Sequence, residues 1–523
     1  MRGLPQSVWG EVVRANAAAY PDKPALVDAG RSLSFAQFDM RTNRLNHALR
    51  ARGLARGDRV AVLSKNRLEC VEAYGVAKTG MIAVPLNWRL SARELLHPLK
   101  DSAPRALLAE PEFIPLIDSL RGEIDGVTDF IAFGAARSGW LDYETLLAQA
   151  SAEQPHAEVL PTDPLCIMYT SGTTGAPKGA TLTHGALLRN AHAAAQGLLG
   201  LTPDDVTLAI TPLFHVGGMW YHLFPSFATG GTTVLMNGFE PRAVLAALRE
   251  HRISNVHLVP TMIHAMVEQP DADEFHLEHL RFIYYAASPI PVEVLRRALR
   301  VFANSAFVQS YGSTEAGVVT GLAPEDHLRA LRDPRAAALL ASCGRAIGGI
   351  GLRVVDAGGR TVESGAIGEI AVRSDRSMAG YWNNQVATRA AFVDGWFMTG
   401  DMGQVDDEGY VTLVDRKNDM IVSGGENVYP VEVEQVLYRD PAVLEAAVFG
   451  LPDTHWVEKV AAAIVLRPGA RATAEEIITR ARALLAGYKC PKTVFFTENL
   501  PRNLTGKVLK KELRRVYGAP SSP

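Results

Sequence analysis

The chain has 523 residues, of which 47% are hydrophobic and 21% charged, and a formal net charge of −3. That length exceeds one ordinary core and implies two or more domains. Without a basic stripe, nothing supplies the counterion release on which binding to nucleic acid depends, so nucleic acid is excluded as the main partner.

No run of 18 apolar residues occurs, and Met1-Arg-Gly-Leu-Pro-Gln-Ser-Val-Trp9 lacks an apolar core of signal-peptide length, so no transmembrane segment is expected. The cysteines Cys70, Cys166, Cys343 and Cys490 show neither metal spacing nor pairing logic, and a reducing, cytoplasmic location is the expectation. Peripheral membrane contact and a homodimer stay open.

In chain order, Ser34-Phe-Ala-Gln37 is a capping box opening a helix with Phe35, Phe38, Leu45 and Leu49 on one side, closed near Gly53. Asp58-Arg-Val-Ala-Val-Leu63 reads as a buried strand, Glu69 to Lys78 as a helix and Met81-Ile-Ala-Val-Pro85 as a strand, a rhythm that implies parallel α/β units. The rhythm returns at Thr207-Leu-Ala-Ile210, Thr232-Thr-Val-Leu235, Asn255-Val-His-Leu-Val259 and Arg281-Phe-Ile-Tyr-Tyr285. From about Gly351 short strands and tight turns take over, as in Leu352-Arg-Val-Val-Asp356, Gly358-Gly359 and Gly368-Glu-Ile-Ala-Val-Arg373, which suggests a β-rich subdomain. Past the charge cluster Asp415-Arg-Lys-Asn-Asp419 comes a compact α+β unit. It comprises a helix from Val431 to Arg439, strands around Ala446-Ala-Val-Phe449 and Val460–Leu466, a helix from Ala474 to Leu485, and the strand Thr493-Val-Phe-Phe496.

Several motifs carry chemistry. Tyr169-Thr-Ser-Gly-Thr-Thr-Gly-Ala-Pro-Lys178-Gly-Ala180 combines glycines, hydroxyls and one ammonium, groups that can surround a phosphate. It is not a Walker loop, because Lys178 lies three residues after Gly175 and Gly179 follows it. A flexible linker has similar composition; a place between a strand-like run, Leu165-Cys-Ile-Met168, and the helix-like Thr183 to Ala195 favours the phosphate loop. Gln309-Ser-Tyr-Gly-Ser-Thr-Glu315 offers a ring that can stack on a purine, hydroxyls, and a carboxylate for a hard cation, although a turn with a surface glutamate would also fit. Trp396-Phe-Met-Thr-Gly-Asp401 ends in an acceptor suited to a vicinal diol, or in an ordinary turn aspartate. Pro212-Leu-Phe-His215-Val-Gly-Gly218 sets an imidazole beside glycines, and Pro501-Arg-Asn-Leu-Thr-Gly-Lys507 sets an amine on a loop.

In this order and rough spacing the motifs resemble the adenylate-forming superfamily of acyl- and aryl-CoA synthetases, firefly-type luciferases and adenylation domains, from about Pro21 to Arg515. The resemblance implies an α/β architecture. A large N-terminal domain of α/β and β-rich subdomains would span 1–415, with a hinge near 416–419 and a small mobile α+β domain over 416–523. It implies ATP, Mg²⁺ and CoA as co-substrates and cofactor. Thr170, Ser171, Gly172, Thr173, Thr174, Gly175 and Lys178 would embrace the phosphates, Ala287, Ser288, Tyr311 and Gly312 would flank adenine, and Asp401 and Arg416 would hold the ribose. Thr314 and Glu315 would meet the α-phosphate and Mg²⁺, with Thr170 beside the metal. Lys507 would bridge the substrate carboxylate and the α-phosphate, and His215 would stand at the reacting end. Ser423-Gly424-Gly425-Glu426 would shape the pantetheine tunnel after a rotation about Asn418, which stands where lysine or aspartate is more usual.

The function implied is a two-step carboxylic acid:CoA ligase, giving first an acyl-adenylate and pyrophosphate, then acyl-CoA and AMP. An amino acid substrate is not expected, because Phe214-His215 stands where an amine-binding carboxylate would. His215, Trp220, Gly312, Gly317 and Val318 are the pocket residues, and the small residues among them leave room for an apolar tail. A medium- or long-chain fatty acid is the first expectation and a cinnamate- or benzoate-type acid the alternative; a non-catalytic nucleotide- or lipid-binding protein of the same fold is a third.

Overall fold

The computed structural model describes residues 7–134, 137–170, 176–286, 290–416, 419–423, 426–453, 456–502 and 508–518. Two large sheets dominate the N-terminal domain. One has eight strands in the order Gly380–Tyr381, Lys178–Thr183, Pro164–Thr170, Ile82–Leu86, Arg59–Leu63, Ala106–Ala109, Asp129–Ala132 and Leu141–Asp142. The other has nine, in the order Arg345–Ala346, Gly317–Leu322, Ala306–Ser313, Phe282–Tyr285, Asn255–Leu258, Val206–Ala209, Thr232–Leu235, Pro24–Asp28 and Arg31–Ser34. Both are parallel through the middle; the nine-stranded sheet is antiparallel at both edges and the eight-stranded sheet at one, its Leu141–Asp142 edge being parallel.

The runs of Val, Leu, Ile and Ala in the central strands follow from burial on both faces. Between the sheets lies a shared core in which Phe35, Phe38, Leu45 and Leu49 of the helix Phe35–Ala51 meet Trp9, Phe224 and Phe227. The ring centroids of Trp9 and Phe224 are 4.5 Å apart, and those of Phe38 and Phe227 5.0 Å. Separate clusters cover the outer face of each sheet. The capping box forms as expected: Ser34 Oγ accepts from the Gln37 N–H at 3.3 Å, and Gln37 Oε1 accepts from the Ser34 N–H at 2.9 Å. The helix expected from Glu69 to Lys78 divides: the α-helix Leu68–Ala73 tightens into a 3₁₀ segment, Tyr74–Thr79. There Gly75 packs so closely on Thr42 that a Cβ would come within 2.4 Å of its methyl.

From Gly351 the chain builds the expected β-rich unit, in which Gly351–Val355, Gly368–Arg373, Trp396–Val405 and Phe392–Val393 form a sheet, with Val411–Arg416 paired to the third of these. The small C-terminal domain is a further sheet. The strands Val443–Asp453 and Val457–Leu466 run antiparallel, and Thr493–Phe496 joins in parallel. The helices Pro430–Leu437 and Ala474–Arg482 cover one face and Lys510–Tyr517 the other. It touches the large domain through Gln435, whose Oε1 accepts from the Val292 N–H and whose Nε2 donates to the Ile290 carbonyl, both at 3.4 Å, and through the Arg467–Glu268 ion pair at 3.5 Å.

Candidate active site

The loop over residues 171–175 joins two antiparallel strands, with Thr170 directly opposite Lys178 at the last pair before it. This corrects the expectation of a strand-to-helix loop. A strand follows the loop, and the helix His184–His192 starts only after it, where Thr183 Oγ1 caps the Ala186 N–H at 3.2 Å. Any anion held here would therefore meet Lys178 and a loop between strands, since among the described residues the next helix starts one strand later. Ser171, Gly172, Thr173, Thr174 and Gly175 lie outside the described residues.

At the base of the hairpin Thr170 Oγ1 donates to Glu315 Oε1 at 3.2 Å, and the Tyr381 hydroxyl donates to the same oxygen at 3.2 Å. Lys178 Nζ stands 5.0 Å from the centre of the Tyr381 ring, within cation–π range. Burial, then the Glu315 carboxylate, pushes the Tyr381 phenol up, so it remains a donor at neutral pH. Two donors on Oε1 fix the carboxylate's orientation, and among the described residues no hydrogen bond falls on Oε2. One carboxylate and one hydroxyl make a poor cage for a metal alone but suit Mg²⁺ shared with phosphate oxygens. Among the described residues no cluster of three metal-ligating side chains exists. Tyr381 was not found from sequence. It arrives on the two-residue strand Gly380–Tyr381, paired with Ala180 and Thr181, and no local pattern marks it.

A second constellation joins residues from two sheets. The Tyr311 hydroxyl donates to Asp401 Oδ2 at 2.7 Å, and Thr399 Oγ1 accepts from the Asp401 N–H at 3.1 Å. Tyr311 and Asp401 are both buried. Burial, then Asp401, holds the Tyr311 phenol well above its usual range, so it donates and does not ionise. Asp401 also lies directly opposite Arg416 on paired strands, which brings the two expected ribose contacts together in register. Thr314 is buried next to Glu315. Ala287 and Ser288 fall outside the described residues.

The expected pocket residues separate into two kinds. A Cβ on Gly312 would come within 2.2 Å of the Gly317 carbonyl oxygen, and one on Gly317 within 2.6 Å of Asn190 Oδ1 at a φ of +82°. The hairpin and its contact with Asn190 therefore require glycine at both positions, a reason for their size independent of any room left for a substrate tail. Val318 is fully buried beside them, and its N–H donates to Asn190 Oδ1 at 2.9 Å. His215 Nδ1 accepts from the Gly217 N–H at 3.1 Å, so the ring proton sits on Nε2. Burial lowers its pKa to about 4, and His215 is neutral at pH 7, a hydrogen-bond donor more than a base. Trp220 is buried in the π-helical turn Met219–Leu223 that follows.

Ser423 is buried on the short hairpin strand Ile421–Ser423, opposite Glu426. Gly424, Gly425, Lys507 and the expected pivot Asn418 lie outside the described residues.

The AMP-binding enzyme family matches residues 13–382, and the AMP-binding enzyme C-terminal domain matches residues 432–507. The chain belongs to the AMP-binding enzyme family. It is 38% identical to an indoleacetate–CoA ligase of Aromatoleum aromaticum, over 97% of each chain. It is 37% identical to the long-chain-fatty-acid–CoA ligase FadD13 of Mycobacterium tuberculosis, over 98% of each. Among solved structures, the anthranilate CoA ligase AuaEII in complex with anthranoyl-AMP superposes with a TM-score of 0.91 at 29% identity, covering 98% of this chain and 97% of that one. This AMP-binding enzyme is an acid–thiol ligase of the acyl- and aryl-CoA synthetase class, which uses ATP, Mg²⁺ and CoA. No described helix is long and apolar enough to cross a membrane.

Proposed function

We propose that the chain activates a compact, ring-bearing carboxylic acid: the carboxylate attacks the α-phosphorus of ATP and expels pyrophosphate, and the CoA thiol then attacks the acyl carbonyl, loses its proton and expels AMP. In this reading Lys178 and the hairpin loop hold the phosphates, and Tyr311 lies along adenine while orienting Asp401 toward the ribose beside Arg416. Thr170 and Glu315 would hold Mg²⁺, which neutralises charge on the phosphate oxygens. Lys507 bridges carboxylate and α-phosphate in the first step. A rotation near 416–419, with the domain boundary at 415/416, would replace it by Ser423, Gly424, Gly425 and Glu426 in the second.

The observation that carries the nucleotide half is convergence. Thr170, Glu315 and Tyr381 share one carboxylate oxygen, and Tyr311 and Asp401 share a buried bond, although four separate stretches of sequence supply them. The ring-bearing acid is supported by the aromatic wall behind His215, where Tyr221 and Tyr284 meet edge to face at 4.4 Å beside the buried Trp220. Flat rigid walls suit a flat ligand better than a flexible chain. The likeness to ligases of indoleacetate and anthranilate points the same way. A medium- or long-chain fatty acid is the second reading, favoured by the likeness to FadD13.

A panel of aryl and fatty acids assayed for ATP- and CoA-dependent AMP release tests this. We expect kcat/KM for the best aryl acid to exceed that for every medium- and long-chain fatty acid. The reverse order overturns the first reading in favour of the second.

A further inference from the structure

Behind His215, buried polar groups gather for which the fold supplies no partner. His257 is 1% exposed, and neither of its ring nitrogens has a hydrogen-bond partner among the described residues. Among the described residues the Trp220 indole N–H and His222 Nδ1 are likewise buried and unpartnered, and the Tyr284 hydroxyl lies near the hydroxyls of Ser310 and Tyr221 without a well-formed bond to either. Elsewhere in the molecule buried imidazoles are satisfied in at least one direction: His327 Nδ1 donates to the Ala323 carbonyl at 2.8 Å while Nε2 accepts from the Tyr285 hydroxyl at 3.0 Å. An unmet buried donor or acceptor is destabilising and rare, so several in one place call for an occupant.

These groups adjoin the expected acid pocket. A Cβ on Gly217 would lie 3.3 Å from His215 Nδ1 and 3.6 Å from His257 Cε1, so the two imidazoles flank the same glycine. The His257 ring lies 4.6 Å from that of Tyr221 and 5.7 Å from that of Tyr284. Tyr221 in turn reaches Ser310 Oγ at 3.4 Å, on the strand that carries Tyr311 and Gly312. The cluster thus spans from His215 to the strand that carries Tyr311 and Gly312.

We propose that His257 and Tyr284, with Trp220, form a hydrogen-bonding subsite at the far end of the acid pocket, which selects acids carrying an uncharged hydroxyl or carbonyl oxygen distal to the carboxylate. This rests on the reading of the pocket as an aryl-acid site behind His215. An indole N–H can only donate, while a phenol and a neutral imidazole can each donate or accept, so a substrate oxygen meets their requirements and a methyl group meets none. Burial, then His222 and His215, keeps the His257 imidazole far below its ordinary pKa. With no cationic group in the cluster, a second carboxylate on the substrate would be buried without a counter-charge.

The test compares kcat/KM for AMP release, with ATP, Mg²⁺ and CoA present, for para-hydroxy and para-methyl members of the benzoate, phenylacetate and phenylpropanoate series. These pairs match in shape and differ in one oxygen. In the series whose length reaches the subsite, we expect the hydroxy acid to be preferred about tenfold, because the methyl partner leaves buried groups unmet. We expect His257→Phe and Tyr284→Phe each to bring that ratio toward one. A purely structural role would lower the rates for both acids together and leave the ratio in place. Should His257→Phe fail to fold, Tyr284→Phe, which removes a single oxygen, gives the same readout. A methyl preference in all three series, or a hydroxy preference unchanged in the variants, overturns the subsite while leaving the ligase reading standing. Turnover of fatty acids with none of any aryl acid overturns the aryl-acid reading and the subsite with it.

Discussion

At the residue scale the bond between Tyr311 and Asp401 couples the expected adenine and ribose contacts, since the same phenol that presents its ring also fixes the carboxylate. Tyr311→Phe keeps the ring and removes the donor. Losing one bond to a charged acceptor costs about 1.5–3 kcal/mol, so we expect the KM for ATP to rise by about tenfold or more with a smaller change in kcat. A KM for ATP within twofold of the parent enzyme's would deny Asp401 its role. Tyr381→Phe probes the neighbouring carboxylate in the same way. The ring under Lys178 stays, one of two donors to Glu315 Oε1 goes, and the Mg²⁺ concentration for half-maximal activity should shift several-fold while ATP dependence at saturating Mg²⁺ holds. Lys507→Ala should slow adenylate formation by about 10²-fold or more, the scale of a lost transition-state contact. It should largely spare thioester formation from supplied acyl-adenylate, and equal loss of both half-reactions would remove the assigned role.

At the element scale the hairpin of Ala306–Ser313 and Gly317–Leu322 holds Tyr311 on its first strand and Glu315 in its tight turn. Gly312→Ala would drive a methyl into the Gly317 carbonyl oxygen at 2.2 Å, a backbone atom that cannot rotate away. We expect a loss of about 1–3 kcal/mol from overpacking, seen as a lower denaturant midpoint, and a larger loss of activity because Glu315 moves with the turn. Unchanged activity would mean the turn relaxes without carrying Glu315. The motif in this hairpin, the Ser34 capping box and the α/β rhythm were legible in sequence because each is a local code of residue types, caps or periodicity, whereas the hairpin itself was not read. Nor was the strand Lys178–Thr183. Its Lys-Gly-Ala-Thr-Leu-Thr is short and mixed, and the Thr183 cap runs straight into a helix. Tyr381 was missed because its two-residue strand exists only through pairing with a hairpin some 200 residues earlier in the chain. His257 was read correctly as part of a buried strand, but a strand buried on both faces gives no alternation to tell which side chains face the interior cluster.

At the scale of the whole molecule, neutral histidines are built into several layers of the fold. His184 Nδ1 accepts from the Trp9 N–H at 3.0 Å and ties the N-terminal helix to the helix behind the phosphate hairpin. His222 bonds Thr211 Oγ1 at 2.9 Å under the pocket wall, and His327 bonds Tyr285 on the outer face of the nine-stranded sheet. Burial lowers the first to about 4, the second to about 3 and the third to about 4, and it holds His257 well below its ordinary value. In the unfolded chain each would titrate near its ordinary pKa of about 6.5. Because the unfolded state binds the proton more tightly, these groups take nothing from stability above that pH. They subtract from it progressively as pH falls from about 6.5 toward the folded values, each by about 1.4 kcal/mol per pH unit. Glu72 runs the opposite way, since burial raises its carboxyl despite Arg41, but it is one group against these four and His215. We therefore expect unfolding at pH 5.5 to take up about three to four protons on account of these residues, against almost none at pH 8. The denaturant midpoint should fall steeply below pH 6.5, before the ordinary carboxylates begin to titrate. His327→Gln should reduce the uptake by about one proton and flatten the slope accordingly. A midpoint that stays level between pH 7 and pH 5 would mean that these rings admit water and protons in the folded state, and it would remove the basis for treating the His257 cluster as uncharged.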